Sequence, residues 1–209
     1  MVRFSIFGIP VEVQPFFWIT LVLIGGALGA DSASAILQTL LFVLAGFLSI
    51  LVHELGHALT ARKFGAHSSI VLQAFGGLAQ HSGVHLSRPQ SFVVTAAGPL
   101  LQIGLGVVVW FSLPHLAGLK PHAAYFFVTL MSISFIWALL NLLPILPLDG
   151  GQMLHAILGP KRVKITLWTT IICAALIGGG YFMKTGSFIL PVFMGLFAWQ
   201  AFHALKRER

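Results

Sequence analysis

The sequence predicts an all-α membrane protein with six transmembrane helices and a membrane-associated β-hairpin or re-entrant segment between the second and third. Three observations carry this expectation. Hydrophobic residues fill 57% of the 209 positions and charged residues 8%, against about 25% charged in ordinary soluble domains, and the mean hydropathy is +0.95. The apolar residues gather into runs close to the ~20 positions that a helix needs to cross a bilayer. Lys and Arg collect between those runs, mostly on one predicted side.

The elements follow in order. Residues 1–14 alternate loosely, with Val2, Phe4 and Ile6, then Val11 and Val13, around Gly8 and Pro10. That pattern suits a short surface hairpin or an interfacial tail. The first span, 15–30, is aromatic-led and somewhat short, and Asp31-Ser-Ala-Ser ends it. The second, 35–61, has no Lys, Arg or Asp, and its only acid is Glu54. Residues 64–87 differ in kind, with Gly76 and Gly77, three histidines (His67, His81, His85) and short β-type pieces. They read as a re-entrant hairpin packed on the bundle, because irregular backbone at membrane depth needs protein or a wet cavity around it. A strand edge there can pair with an extended peptide.

The third span, 91–113, opens with Ala96-Ala-Gly-Pro-Leu, where Gly98 permits close backbone approach and Pro99 can kink the helix. The fourth, 123–143, runs into Asn141-Leu-Leu-Pro-Ile-Leu-Pro-Leu-Asp-Gly-Gly, where Pro144 and Pro147 break the helix and leave Asp149 in irregular backbone. A short helix is expected from 152 to 158. Spans five and six, 165–182 and 188–205, complete a single membrane domain over 1–209, with no repeat, low-complexity tract or soluble linker. No cleavable signal peptide is expected at the start.

With a cytoplasmic amino terminus and six crossings, ten of the twelve Lys and Arg fall on the cytoplasmic side, leaving only Lys120 and Lys184 opposite. This predicts a multi-pass protein of the cell membrane with both termini cytoplasmic. The net charge of +7 includes no basic run interleaved with aromatics, so nucleic acid is excluded as a partner. Cys173 is the sole cysteine, which rules out an internal disulfide framework and a thiolate metal cluster. The partner implied by composition is the lipid bilayer, and a homo-oligomer is compatible with the sequence.

Chemistry concentrates in His53-Glu-Leu-Gly-His57. Two histidines four apart share one helical face and offer zinc two neutral imidazoles, while Glu54 stands where it can take a proton from water. Ionisable groups in an apolar span are expensive and mark function. His53 precedes Arg62 by nine residues, which puts it about 13 Å from that flank at 1.5 Å per residue. A catalytic zinc typically takes three protein ligands. Of the five acids, Glu12 and Glu208 lie near the ends, Asp31 sits in a far loop, and Glu54 has the base role. Asp149 is therefore the foremost third ligand, with an N-cap role as its structural alternative and His155, His67 and His81 as alternative ligands. Asn141 either bonds a substrate backbone or braces the loop to Asp149.

One Zn2+ per chain held this way, with Glu54 as base, suits peptide hydrolysis. A membrane-bound zinc peptidase acting on loop or soluble peptides would share all of this chemistry. A metal transporter or non-catalytic metal-binding protein would need further ionisable groups along several spans, and these are nearly absent here.

Three segments together resemble the site-2 protease family of intramembrane zinc metalloproteases: His53-Glu-Leu-Gly-His57, Ala97-Gly-Pro99 and Asn141-x-x-Pro-x-x-Pro-Leu-Asp-Gly-Gly151. The resemblance covers residues 35–159. It implies that His53, His57 and Asp149 hold the zinc, that Glu54 is the catalytic base and that Asn141 assists substrate binding. It also implies that Gly76 and Gly77 lie in a membrane-dipping segment near the substrate path. The implied substrates are membrane-embedded segments of membrane-anchored proteins, commonly regulators. Gln102 departs from the pattern, standing where relatives often carry Asn. The chain resembles a minimal member without PDZ or CBS domains.

Overall fold

A computed structural model of the chain describes residues 1–74, 76–116, 118 and 120–207. Glu208 and Arg209, counted above among the acids and the cytoplasmic cations, lie outside the described residues. The strands are β1 (Val2–Ile6), β2 (Ile9–Val13), β3 (His67–Gln73) and β4 (Gly76–Ser82). The helices are α1 (Pro15–Ile24), α2 (Ala33–Lys63), α3 (Arg88–Ser112), α4 (Pro121–Asn141), α5 (Asp149–Leu158), α6 (Val163–Thr185) and α7 (Ile189–Arg207). Residues group into two compact units, Met1–Leu86 with Ala97–Leu139, and Ser87–Ala96 with Leu140–Arg209.

In the first unit the strands form one four-stranded sheet in the order β1-β2-β3-β4. Phe7 and Gly8, both at positive φ, turn β1 into β2, as a two-residue hairpin requires. Arg3 faces Glu12 across the pair and bonds it at 2.9 Å. The parallel β2–β3 pairing sets Val11 opposite Ile70 and Val13 opposite Leu72, and β3 and β4 form an antiparallel hairpin. The all-α expectation is thus amended to a mostly helical fold with a small sheet. Residue-by-residue alternation shows that a strand exists, but not that it pairs with another some sixty positions away. Ile9, Val11, Val13, Ile70 and Leu72 bury one face of the sheet against Ile50, Leu51, Leu55 and Ala58 of α2 and against Phe17 and Leu21 of α1. By the usual ~25 cal/mol per Å², this burial is the main attraction holding sheet to helix. β4 is left as an outer strand with β3 as its only sheet neighbour.

α2 is 31 residues long, about 46 Å at 1.5 Å per residue. The Ser32 hydroxyl caps its start by accepting from the Ala35 amide at 3.2 Å. Arg62 and Lys63 end it, where cations suit the negative pole of the helix dipole. The Arg62 guanidinium donates to the Phe7 carbonyl, tying the β1–β2 turn to this end of α2. α1 runs antiparallel to the first half of α2. Leu21 packs where Gly46 has no side chain, while Gly25 abuts the Phe42 ring and its carbonyl accepts from the Thr39 hydroxyl at 3.1 Å. Gly25 and Gly26 stop α1 after ten residues, short of the span expected over 15–30. Ala45, Val109 and Leu130 join α2, α3 and α4 in a second cluster.

In the second unit, α5 starts at Asp149 and not at 152. Leu148 is the N-cap residue and no side chain caps the helix, so the capping alternative for Asp149 does not occur. Gly150 and Gly151 press on the backbone of Leu142, Leu143, Ile145 and Leu146, leaving no room for a Cβ. Arg88 closes the other end of α5 by donating to the Ala156 carbonyl at 2.8 Å and to that of Ile157. Ile145, Ala174 and Met194 form one core and Leu167, Ala201 and Leu205 another. The Leu146 amide donates to the Thr170 hydroxyl at 3.0 Å.

Among the described residues, five helices are long and apolar enough to cross a membrane: Ala33–Lys63, Arg88–Leu116, Pro121–Asn141, Pro160–Thr185 and Ile189–Arg207. Their outward side chains include Trp110, Phe111, Leu176 and Trp199, all more than half exposed. Apolar surface of this extent fits lipid. The chain is a multi-pass membrane protein.

Candidate metal centre

The site begins in the middle of α2, where His53, Glu54 and His57 are buried to 3%, 5% and 7% exposure. The histidines are one turn apart, and their Nε2 atoms face each other at 3.1 Å. They can lie this deep because α3 comes up to them backbone first. A Cβ at Gly56 would overlap the Ala97 carbonyl, and one at Gly98 would overlap the His57 imidazole. The Ala97-Gly98 step therefore admits the ring edge that a larger residue would displace. Pro99 lies inside α3 and is fully buried.

His53 is held at its other nitrogen. Its Nδ1 lies 2.9 Å from Gln102 Oε1, and Gln102 Nε2 donates to the Ser49 hydroxyl at 2.8 Å. Ser49 Oγ is in turn 3.0 Å from Ser134 Oγ on α4. Gln102, Ser49 and Ser134 are each 0% exposed. The sequence reading missed this set. The available signal was polar residues in apolar spans at helical spacing, Ser49 four before His53 and Gln102 four after Gly98.

Asp149, 8% exposed, is the third member of the group. One ligand atom from each of His53, His57 and Asp149 lies within 4.8 Å of the others, and no other such group occurs among the described residues. Ligands at zinc's usual bond lengths in a tetrahedral site sit about 3.3–3.6 Å apart. Two neutral imidazoles and a carboxylate, buried and converging, thus fit one zinc ion. His67, His81 and His155, the alternative third ligands, are not in the group. His67 and His81 instead line a cleft of about 820 Å³ with Arg62 and the β1–β2 turn. Burial, and secondly the nearby His57, hold the His81 imidazole below the usual histidine range.

Of the remaining predicted site residues, one touches Glu54. Gly77 of β4 lies directly on the Glu54 carboxyl group, and a Cβ there would overlap it. Gly76 faces the Trp137 indole, 3.5 Å from where a Cβ would stand. Asn141 is the last residue of α4 and is half-buried.

A donor set of this kind, carried on apolar helices, defines a class first: a membrane protein suited to hold one zinc ion. The sequence model of Peptidase family M50 matches residues 117–178. The chain is 31% identical over 159 residues to a zinc metalloprotease of Methanocaldococcus jannaschii, covering 76% of this chain and 45% of the relative. It is 33% identical over 176 residues to stage IV sporulation protein FB of Bacillus subtilis, covering 80% and 56%. The chain thus spans about half the length of these curated relatives. A solved structure, the site-2 protease from Methanocaldococcus jannaschii, superposes with a TM-score of 0.66 at 27% identity, covering 98% of this chain and 94% of that one. The family model, the curated relatives and the solved structure all point to a likeness with the site-2 protease family.

Proposed function

We propose that this protein is an intramembrane zinc protease that hydrolyses peptide bonds within or near transmembrane segments of membrane-anchored regulatory proteins. The observation that carries this reading is the buried convergence of His53, His57 and Asp149 next to Glu54. Zinc, when bound, acidifies a water and polarises the scissile carbonyl. His53 and His57 bind through Nε2 and Asp149 through a carboxylate oxygen. Glu54 takes the proton of the attacking water and passes it to the leaving nitrogen, so that a C–O bond forms, the C–N bond breaks, and a carboxylate and an amine result.

A helical substrate hides its carbonyls in its own hydrogen bonds and must open first. The outer edge of β4 can receive the opened segment as an added strand. Gly77 of β4 lies on the Glu54 carboxyl group, which supports a path for the added strand beside the proposed base, with the Asn141 amide holding the substrate backbone. The test is cleavage of a single-span substrate in zinc-loaded vesicles with the products mapped. Cuts inside the span, accelerated about tenfold or more by a Gly-Pro pair placed there, are expected. Cuts confined to the loops would replace this reading with a membrane-bound peptidase of loop peptides.

The same reading includes six crossings with both termini cytoplasmic in the cell membrane. α1 covers only about 15 Å, half the ~30 Å hydrocarbon core. Its antiparallel packing on the first half of α2, and the bond from Arg62 to the β1–β2 turn at the other end, support a first crossing shared by sheet and short helix. Removing α1 from the count would move only Arg3 to the far side, so charge alone discriminates little. Reporters fused to each end are expected to label on the cytoplasmic side; an outward amino terminus would reduce the crossings to five.

A further inference from the structure

We infer that Gln102 is a positioning residue that sets the tautomer of His53, through a one-way chain of hydrogen bonds ending on the α4 backbone. The direction follows from the far end. The Ser134 hydroxyl donates its only proton to the Leu130 carbonyl at 2.7 Å. It can then only accept from Ser49, whose hydroxyl lies 3.0 Å away. Ser49 has thereby used its own proton and must accept from Gln102, which approaches with its amide nitrogen at 2.8 Å from Oγ and 3.4 Å from the Ser49 carbonyl.

With its NH2 committed on that side, Gln102 presents Oε1 to His53, 2.9 Å from Nδ1. An oxygen without a proton requires a donor opposite it, so His53 carries its proton on Nδ1. Its Nε2, which faces His57 Nε2 at 3.1 Å, then carries no proton and keeps its lone pair as a donor suited to a metal. A flipped amide would set oxygen against the Ser49 carbonyl and NH2 against His53. In a site this dry, with Ser49, Gln102, Ser134 and His53 at 3% exposure or less, such mismatches cost the full desolvation of the groups left unmatched.

Metal-ligating histidines generally donate their second nitrogen to a carbonyl or carboxylate, and losing that partner costs 10–100-fold in affinity. In this chain the acceptor is a glutamine side chain, itself held by Ser49 on the same helix as His53 and, through it, by Ser134 of α4. This also explains why polar Ser49 and Ser134 occur in otherwise apolar spans, where an unmatched hydroxyl would be a cost.

The inference rests on the proposed ligand role of His53, which a His53→Ala variant tests separately: unchanged zinc binding there would sink the site itself. Two measurements test Gln102. Nitrogen-15 NMR of histidine-labelled parent protein is expected to find the His53 proton on Nδ1, and a proton on Nε2 in the metal-free protein overturns the inference without any variant. Gln102→Leu is expected to weaken zinc binding, followed by competition with a chelator, about 10–100-fold. Gln102→Glu, which restores an acceptor for Nδ1, is expected to stay within a few-fold of the parent. Equal losses in both variants, or none in Gln102→Leu, would show that the amide only fills space.

Discussion

Replacing Glu54 with glutamine is expected to leave zinc bound and the fold intact while cleavage falls about 10³-fold, within the range that general-base catalysis supplies. The variant is informative because it keeps the shape. Gly77 lies on the Glu54 carboxyl with no space for an added methyl, and glutamine, an isostere, adds no bulk there. Glutamine also removes a charge that is 95% shielded from solvent, which relieves a desolvation cost. Thermal unfolding is therefore expected at or above the parent value. Single-turnover cleavage measured beside zinc content separates the roles: normal zinc with lost turnover identifies the base, whereas full turnover would take that role away from Glu54.

Asp149→Ala is expected to act one step earlier. Removing a direct ligand should cost more zinc affinity than the roughly 100-fold limit for losing an outer partner, and cleavage should drop to background. The helix that carries Asp149 should survive. Gly150 and Gly151 still seat its first turn on the preceding backbone, Arg88 still closes its end, and loss of an acid at a helix start costs about 0.3–1 kcal/mol. Circular dichroism unchanged from the parent, with zinc lost on dialysis, is the expected pair of results. Retention of one zinc per chain would return the third position to a histidine.

Much of this was readable from composition and spacing. The apolar runs located helices α2, α3, α4, α6 and α7 to within about three residues, because hydropathy is a sum over neighbours in the chain. The His53, Glu54 and His57 set needed only the helical repeat, and Asp149 stood out because so few acids compete with it. Other features were beyond local reading. The span expected over 15–30 is a ten-residue helix, since Gly25 and Gly26 end it. The parallel β2–β3 pair, which turns two hairpins into one sheet, has no local signature.

What the amino-acid order determined alone was therefore a membrane protein with a two-histidine, one-glutamate motif on an apolar helix and one stray carboxylate suited to join it. What only the folded chain decided was which polar groups serve those residues. Gln102 is 49 positions from His53 and reads in isolation as a misplaced amide. It reaches the imidazole because Gly56 and the Ala97-Gly98 step let two helix backbones touch. Periodicity reports which face of a helix is buried, but the partner of a buried hydrogen-bonding atom depends on how closely another helix approaches, and that distance is set by packing.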